Sequence, residues 1–379
     1  MVGLRFHSSQ IVGSDVSSAN VLISVESGLI ADIDAIGGDF GFDFDHVTVY
    51  PGYVDVHNHG AVGEDVNAAD VEGLIRIASF LARNGVTAWM PTLVPDSDDN
   101  YRRAIDAIDE LMARQVGRPI AQAVGVHYEG VFASEEMCGA LRPEFFKSGR
   151  WAVGGGHLPK LERGVHMTTL APEIEGGIEL IEALVADGWV VSIGHTRADP
   201  ETLDRAYAAG ARHMTHFFNA MTGVHHRDLG VAGWGLANDD VTFDLIADGI
   251  HVHPDMLGVA CRAKSPDKVS LISDSVAPTG LGDGDFELWG ETITVKNGRT
   301  QNERGSIAGS VCTMLDCVRT MRSIKFSDAD IAKMASNNPA KLLGLDDRGS
   351  IEVGKRADLV GLNADGSIAF TIIGGEIVG

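Results

Sequence analysis

The sequence predicts an α/β fold, a (β/α)8 TIM-like barrel carrying a small β-sandwich domain built from both termini. Three observations lead there. Eight apolar, strand-like runs alternate with helical patterns through the middle of the chain. Five of those runs close on a histidine or a carboxylate, and the strand ends of such a barrel form its active face. The two chain ends are both β-rich and flank the alternating region.

Residues 1–50 are rich in Val, Ile and Phe, with turn residues at Ser27-Gly28 and Gly37-Gly38, and read as short antiparallel strands. The strand-like runs follow at 49–57, 86–91, 122–128, 165–170, 189–194, 211–215, 242–247 and 269–273. Helical patterns lie between several of them, at 71–83, 101–114, 178–186 and 200–209. Asp199-Pro200 supplies an N-cap and a proline at the first helical position. Gly188 stands just past the end of the preceding helix. A doubly wound sheet is the alternative, weakened because no glycine-rich phosphate fingerprint follows the first strand. Near 284–304, the run Phe286 to Val295 turning at Asn297-Gly298 predicts a hairpin inserted after the eighth strand. Helices are expected again at 310–323 and 328–336, and strands at 349–354 and 368–373. The expected boundaries are therefore 1–50 and 346–379 for the small β domain and 51–345 for the barrel.

A chain of 379 residues holds one large domain and a smaller one, and 44% hydrophobic with 22% charged residues is ordinary for a soluble protein. The net charge of -23 argues against nucleic acid or an anionic membrane surface as partner. An anionic ligand would need a local cationic pocket. No apolar run has the length of a membrane span, and Met1 to Gln10 lacks a signal-peptide pattern. Cys138, Cys261, Cys312 and Cys317 show no zinc-finger spacing and are too few for a disulfide framework, so a cytoplasmic location is expected.

The chemistry gathers at the strand ends. His57 and His59 close the first strand and, with period two, point the same way. Alone, a His-x-His reads equally as a polar strand end or as half of a metal site. The third strand closes on Glu129, the fifth on His195, the sixth on His216 and the eighth on Asp274. Nitrogen and carboxylate donors without thiolate suit Zn2+, with Fe2+, Mn2+ or Co2+ as alternatives. Asp274 beside such a centre reads as a proton acceptor, although Ser273-Asp274-Ser275 is also cap-like. His127 and His213 read as packing groups or as groups that support a neighbouring ligand, and His225, His226 and His253 as surface residues. Arg227 is a candidate anion clamp, since guanidinium grips phosphate in bidentate fashion.

Pro51 to Gly60 resembles the opening of the amidohydrolase superfamily. Further segments resemble its N-acetylglucosamine-6-phosphate deacetylase family: His127-Tyr128-Glu129-Gly130, Gly194-His195-Thr196, Thr215 to Met221, His226 to Gly230, Ile246 to His251, Ser273-Asp274 and Gly305 to Ser310. The tail segments Asn338 to Gly344 and Gly354 to Val360 are general to the superfamily. The resemblance implies a barrel of the metal-dependent hydrolase type, and hydrolysis of the acetamide of N-acetylglucosamine 6-phosphate by a homodimer. Glu129, His195 and His216 would hold one divalent metal. His57 and His59 would add a second, shared through Glu129 with Asp274 at its edge, so one or two metals per subunit are expected. Asp274 would pass a proton from the attacking water to the departing amine. His251 would polarise the carbonyl or hold the sugar. Ala140, Asn219, Ala220, Ile307, Ala308 and Gly309 would contact substrate, and Arg227 its phosphate, across a dimer interface.

One departure stands out. Where family members carry a Gly-Ala-His-like triplet, this chain reads Gly139-Ala140-Leu141, so a contact is missing or a residue such as Arg142 supplies it. The alternatives are a deacetylase for another N-acetyl amino sugar phosphate, such as the galacto epimer, and a non-catalytic metal- or sugar-binding relative. Asp274 argues against the latter. Cyclic-amide hydrolases usually carry a carboxylated lysine where this chain has Glu129.

Overall fold

The alternating residues at the N-terminus form β1 (Leu4–Val12), β2 (Ser17–Glu26), β3 (Leu29–Ala35) and β4 (Phe42–Pro51). The computed structural model describes residues 4–13, 17–35 and 41–379, and the expected Gly37-Gly38 turn lies outside them. Ser27 and Gly28, at φ +52° and +82°, make the tight turn between β2 and β3. β1 pairs antiparallel with β2 and parallel with β4.

The expected strand 49–57 is two strands. β4 ends at Pro51 in the small sheet, and β5 (Tyr53–Asn58) begins the barrel. Gly52 N donates to Asp358 O at 2.8 Å and Tyr53 N to Gly85 O at 3.0 Å, so the pairing partner changes at that peptide. A Cβ on Gly52 would lie 2.3 Å from the Thr87 side chain, and only glycine passes there. The run stays extended and apolar throughout, so pattern alone does not show the switch.

The barrel continues through β6 (Val86–Leu93), β7 (Gly125–Phe132), β8 (Val165–Leu170), β9 (Val190–Ile193), β10 (His213–Met214), β11 (Thr242–Ile246) and β12 (Val269–Ile272). Each pairs parallel with its sequence neighbour. Every residue of β5, β6 and β7 is buried, as expected of strands covered on both faces. The cover comes from α1 (Val71–Arg83), α2 (Asp98–Arg114), α3 (Gly149–Val153), α4 (Gly177–Ala186), α5 (Pro200–Ala209), α6 (Gly230–Ala237) and α7 (Pro254–Lys264). In α1 the Asp70 carboxylate caps Gly73 N, and Leu74, Ile77, Ala78 and Leu81 face inward at helical spacing. Asp199 caps α5, which stops at Gly210 with φ +114°.

The seam between β12 and β5 is joined by backbone bonds at its upper end. His59 N donates to Ser275 O at 2.8 Å, and Asp274 N donates to His57 O at 3.0 Å. The residues that close the barrel are thus neighbours of the candidate ligands.

After β12 the chain forms an antiparallel insert of β13 (Gly284–Leu288), β14 (Glu291–Lys296) and β15 (Arg299–Asn302). The expected single strand 286–295 is broken at Trp289-Gly290, whose φ values are +55° and +81°. The Asn297-Gly298 turn stands as expected. α8 (Met314–Ser323) starts later than the expected Ser310, because Thr313 and Asp316 form a capping box. The segment expected as one helix over 328–336 is α9 (Asp328–Ala332) followed by a π turn at Lys333–Asn337. α10 (Asn338–Leu342) completes this stretch. Gly349 to Gly354 is turn rather than strand, with both glycines at positive φ.

Finally β16 (Leu359–Leu362), β17 (Ile368–Ile373) and β18 (Glu376–Ile377) return to the N-terminal sheet, whose order is β18-β17-β16-β4-β1-β2-β3. The two ends of the chain share one core there, with the Phe6, Phe44 and Phe370 rings in mutual contact.

Candidate active site

The candidate ligands sit at bends. His195, His216 and Asp274 follow β9, β10 and β12 directly and have φ of +48°, +33° and +49°. Glu129 precedes Gly130, at φ +69°, where the β7–β8 register shifts. A left-handed non-glycine residue costs about 1–3 kcal/mol and persists only where its surroundings determine it. Three such residues at one mouth turn side chains inward that a regular strand would send elsewhere.

Their ring nitrogens converge on Glu129. His216 Nε2, His195 Nε2 and His57 Nε2 lie 2.9, 3.2 and 3.4 Å from Glu129 Oε1, and His59 Nε2 lies 3.2 Å from Oε2. Asp274 Oδ1 stands 3.4 Å from His57 Nε2 and 3.2 Å from His59 Nε2. Two triads result, His57-His59-Glu129 and Glu129-His195-His216, all buried. Donors about 2.0–2.1 Å from a shared tetrahedral cation would be about 3.3 Å apart. The observed separations are those of a coordination shell.

Tautomers make the case for a cation stronger. His59 Nδ1 donates to Thr92 O at 3.2 Å and His195 Nδ1 to Met137 O at 2.8 Å. A carbonyl only accepts, so in the neutral imidazoles both Nε2 atoms present lone pairs, and they present them to carboxylates. Lone pair facing lone pair in a buried site requires a cation between them, either protons or a metal. Burial alone would depress His59 and His216, but the hydrogen-bonded Asp274 and Glu129 carboxylates outweigh it. They lift His59 to about 10 and His216 to about 9. Burial alone would likewise raise Glu129 and Asp274, yet the surrounding imidazoles hold both below the usual carboxylate range. The residues fit a divalent cation.

Several groups that fix these ligands were not singled out in the sequence. Asp55 is fully buried on β5 and accepts from Ser273 Oγ at 2.6 Å, Asn58 Nδ2 at 3.2 Å and His57 N at 3.4 Å. Its carboxyl is raised by burial. Period two already places Asp55 on the face of His57 and His59, and that was the available signal. Asp244 on β11 accepts from His216 N through Oδ1, and its Oδ2 lies 3.1 Å from His213 Nε2. His213 is therefore a buried supporting group, the second of its two expected roles. His127 is buried too, bonded to Val56 O and Thr169 Oγ1, and burial together with the His57 charge holds it well below the usual histidine range. Asp248 accepts from Ile250 N and His251 N at 2.8 Å each, and its Oδ2 lies 2.6 Å from His251 Nδ1. The Asp-Gly pair at 248–249 is the turn signal that marks it.

A cavity of about 290 Å³ opens above the cluster. Among its lining residues are Ala140, Asn219, Ala220, His251, Ile307 and Gly309, all expected to contact substrate. Ala308 does not line it. It is fully buried, and its N–H donates to Thr300 Oγ1 at 3.2 Å. Arg227 is exposed beside His226 and also lies outside the lining. Arg142 does not take the place of the missing histidine. It donates to Pro95 O at 2.7 Å and pairs with Asp96 at 3.0 Å, outside the cavity. His225, His226 and His253 are exposed, as expected. Trp289, unsuspected from sequence, stands with its ring edge-on to His59 at 5.5 Å and its Nε1 donating to Asp65 Oδ1 at 3.2 Å. Burial pushes Asp65 up to about 6.

The Amidohydrolase family matches residues 48–378. The N-acetylglucosamine-6-phosphate deacetylase of Bacillus subtilis (strain 168) is 39% identical over 338 residues, covering 86% of this chain and 83% of that protein. An N-acetylgalactosamine-6-phosphate deacetylase of Escherichia coli O157:H7 is 33% identical over 344 residues, covering 90% of each. Among solved structures, a mutant N-acetyl-D-glucosamine-6-phosphate deacetylase of Mycobacterium smegmatis, in complex with N-acetyl-D-glucosamine-6-phosphate, superposes with a TM-score of 0.88. It is 27% identical and covers 100% of both chains. With a matching family over most of its length and relatives this similar over more than four fifths of it, the chain belongs to the amidohydrolase family, in the branch of the N-acetylglucosamine-6-phosphate deacetylases.

Proposed function

We propose that this protein hydrolyses the acetamide of N-acetyl-D-glucosamine 6-phosphate, giving D-glucosamine 6-phosphate and acetate. The observation that carries this reading is the pair of buried ligand triads sharing Glu129 with Asp274 at their edge. Residues 51–345 form the catalytic barrel in this reading, and 1–50 with 346–379 the small β domain.

Glu129, His195 and His216 would hold one divalent cation, and His57, His59 and Glu129 would hold a second where two bind, with Zn2+ favoured by the donor set. When bound, the metal supplies Lewis acidity to the carbonyl and makes the attacking water more acidic. Asp274 accepts the proton released as water adds to the carbonyl carbon. It then delivers that proton to the nitrogen as the C–N bond breaks, so acetate and the free amine leave. His251, with its Nδ1 proton committed to Asp248, accepts a hydrogen bond from a sugar hydroxyl at Nε2. Asn219 and the backbone near Ala140, Ala220 and Ile307 to Gly309 complete the sugar site.

Arg227 lies on an exposed loop outside its own cavity, together with exposed Val224 and Leu229. This supports a homodimer in which Arg227 reaches the phosphate in the neighbouring subunit. Four free cysteines suit the cytoplasm. Arg227→Ala is expected to raise KM for the phosphorylated sugar by about tenfold or more, and to leave unphosphorylated N-acetylglucosamine unaffected. Equal losses on both would remove Arg227 from the phosphate site.

The deciding experiment is acetate release from purified protein, with metal analysis of the same sample. Release that stops on chelation and returns with Zn2+ is expected. A fully metallated protein that releases no acetate overturns the reading. The N-acetylgalactosamine 6-phosphate epimer, run in parallel, decides the second reading that the Escherichia coli relative favours.

A further inference from the structure

The mouth of the barrel has two chemically different sides. In strand order round the rim, β5, β6 and β7 occupy one arc, and β10 and β11 lie opposite. Asn219 follows β10 and His251 follows β11, so the Asn219 side-chain carbonyl and His251 Nε2 stand on that far arc, the Asn219 amide nitrogen being bonded to His216 O and His251 Nδ1 to Asp248. On the near arc the wall is Leu141, from the loop after β7, and Trp289, from the turn between β13 and β14. Both pack into one apolar cluster with Val94 and Ala133.

This wall is held firmly. The Trp289 indole donates to the half-buried Asp65 carboxylate at 3.2 Å and lies edge-on to His59. Arg304 ties the insert to the opposing loop. Its Nη2 donates to Ala140 O at 3.1 Å, while its Nε pairs with Glu291 at 3.0 Å. Leu141 is 4% exposed and reaches so far inward that a Cβ on Gly130 would lie 2.1 Å from its Cδ1. Gly130 directly follows Glu129, so Leu141 ends beside the cation-binding cluster.

Resting on the deacetylase reading above, we infer that Trp289 and Leu141 form an acyl subsite that limits the substrate's acyl group to about the size of acetyl. An N-acylated sugar with its carbonyl carbon at the cluster has two unlike ends. The hydroxylated ring needs partners and faces the His251 and Asn219 arc. The methyl group makes no hydrogen bonds and falls on the dry wall. Any added methylene has to displace an indole and a leucine that are both pinned. One methylene in an apolar pocket discriminates by about 10–200-fold.

The test is kcat/KM for the N-acetyl, N-propanoyl and N-butanoyl forms of glucosamine 6-phosphate, read by amine release from fully metallated protein. The wild type is expected to prefer acetyl over butanoyl by about 10²-fold. Leu141→Ala and Trp289→Ala are expected to shrink that ratio at least tenfold, even where turnover of the acetyl substrate falls. If Trp289→Ala does not fold, Trp289→Leu and Leu141→Ala read the same ratio. An unchanged ratio in folded variants overturns the subsite, as does a wild type that accepts butanoyl as readily as acetyl. A wild type that releases amine from none of the three overturns the underlying deacetylase reading instead, and the inference with it.

Discussion

Asp274→Asn is expected to lower kcat for acetamide hydrolysis by at least about 10²-fold, the scale of general acid–base catalysis, with metal content largely unchanged. The substitution isolates the carboxylate. Asparagine matches aspartate in size and tolerates the φ of +49° found there. The seam bonds at this residue are backbone bonds, from Asp274 N to His57 O and from Ser310 N to Asp274 O at 2.7 Å, and the side chain takes no part in them. In the proposed site, coordination would rest chiefly on Glu129 and the four imidazoles. What is lost is the acceptor that stands beside His57 and His59. Single-turnover acetate release and metal analysis on the same preparation check this. Retained turnover would remove Asp274 from its role.

Glu129→Gln carries the second large effect. Glu129 is the one residue common to both triads, and its two oxygens face four imidazoles. A neutral amide cannot offset two cations, and it turns an N–H toward ring nitrogens that require a positive partner. Both metal equivalents are expected to be lost. Activity should fall by more than the 10–100-fold typical of altering an outer partner alone. His57→Asn is expected to remove one equivalent only, because the Glu129-His195-His216 triad stays complete. Metal titration of the two variants distinguishes a shared carboxylate from two independent sites. Equal losses in both would mean that one cation, not two, occupies the cluster.

Much of this site is legible before folding because its signals are local. Period two puts His57 and His59 on one face, and strand–helix alternation puts Glu129, His195, His216 and Asp274 at strand ends. Caps are equally local, and Asp199-Pro200 starts α5 where expected. Other features depend on what packs nearby. At the switch of sheets, the glycine at 52 is required by the Thr87 side chain, a strand away. Gly349 to Gly354 has the alternation of a strand but turns instead, and its backbone meets the edge strand β3 at Gly354, whose N donates to Ile30 O at 2.8 Å. Ala308 belongs to a plausible sugar-binding segment, yet the Thr300 hydroxyl takes its N–H.

By itself the sequence determined the alternation, the strand-end donors, the metal-ligand chemistry and the family resemblance, because each depends on residue type and spacing along one chain. Tertiary structure alone decided the distances at which Glu129 faces the four imidazoles, the bonds by which Asp55, Asp244 and Asp248 hold the turns, and the placing of Arg227 and Arg142 outside the cavity. It also brought Trp289 from the tip of an insert to the ring of His59, 230 residues earlier in the chain. Such contacts join residues whose separation along the chain carries no periodicity, so they exist only once the barrel has closed.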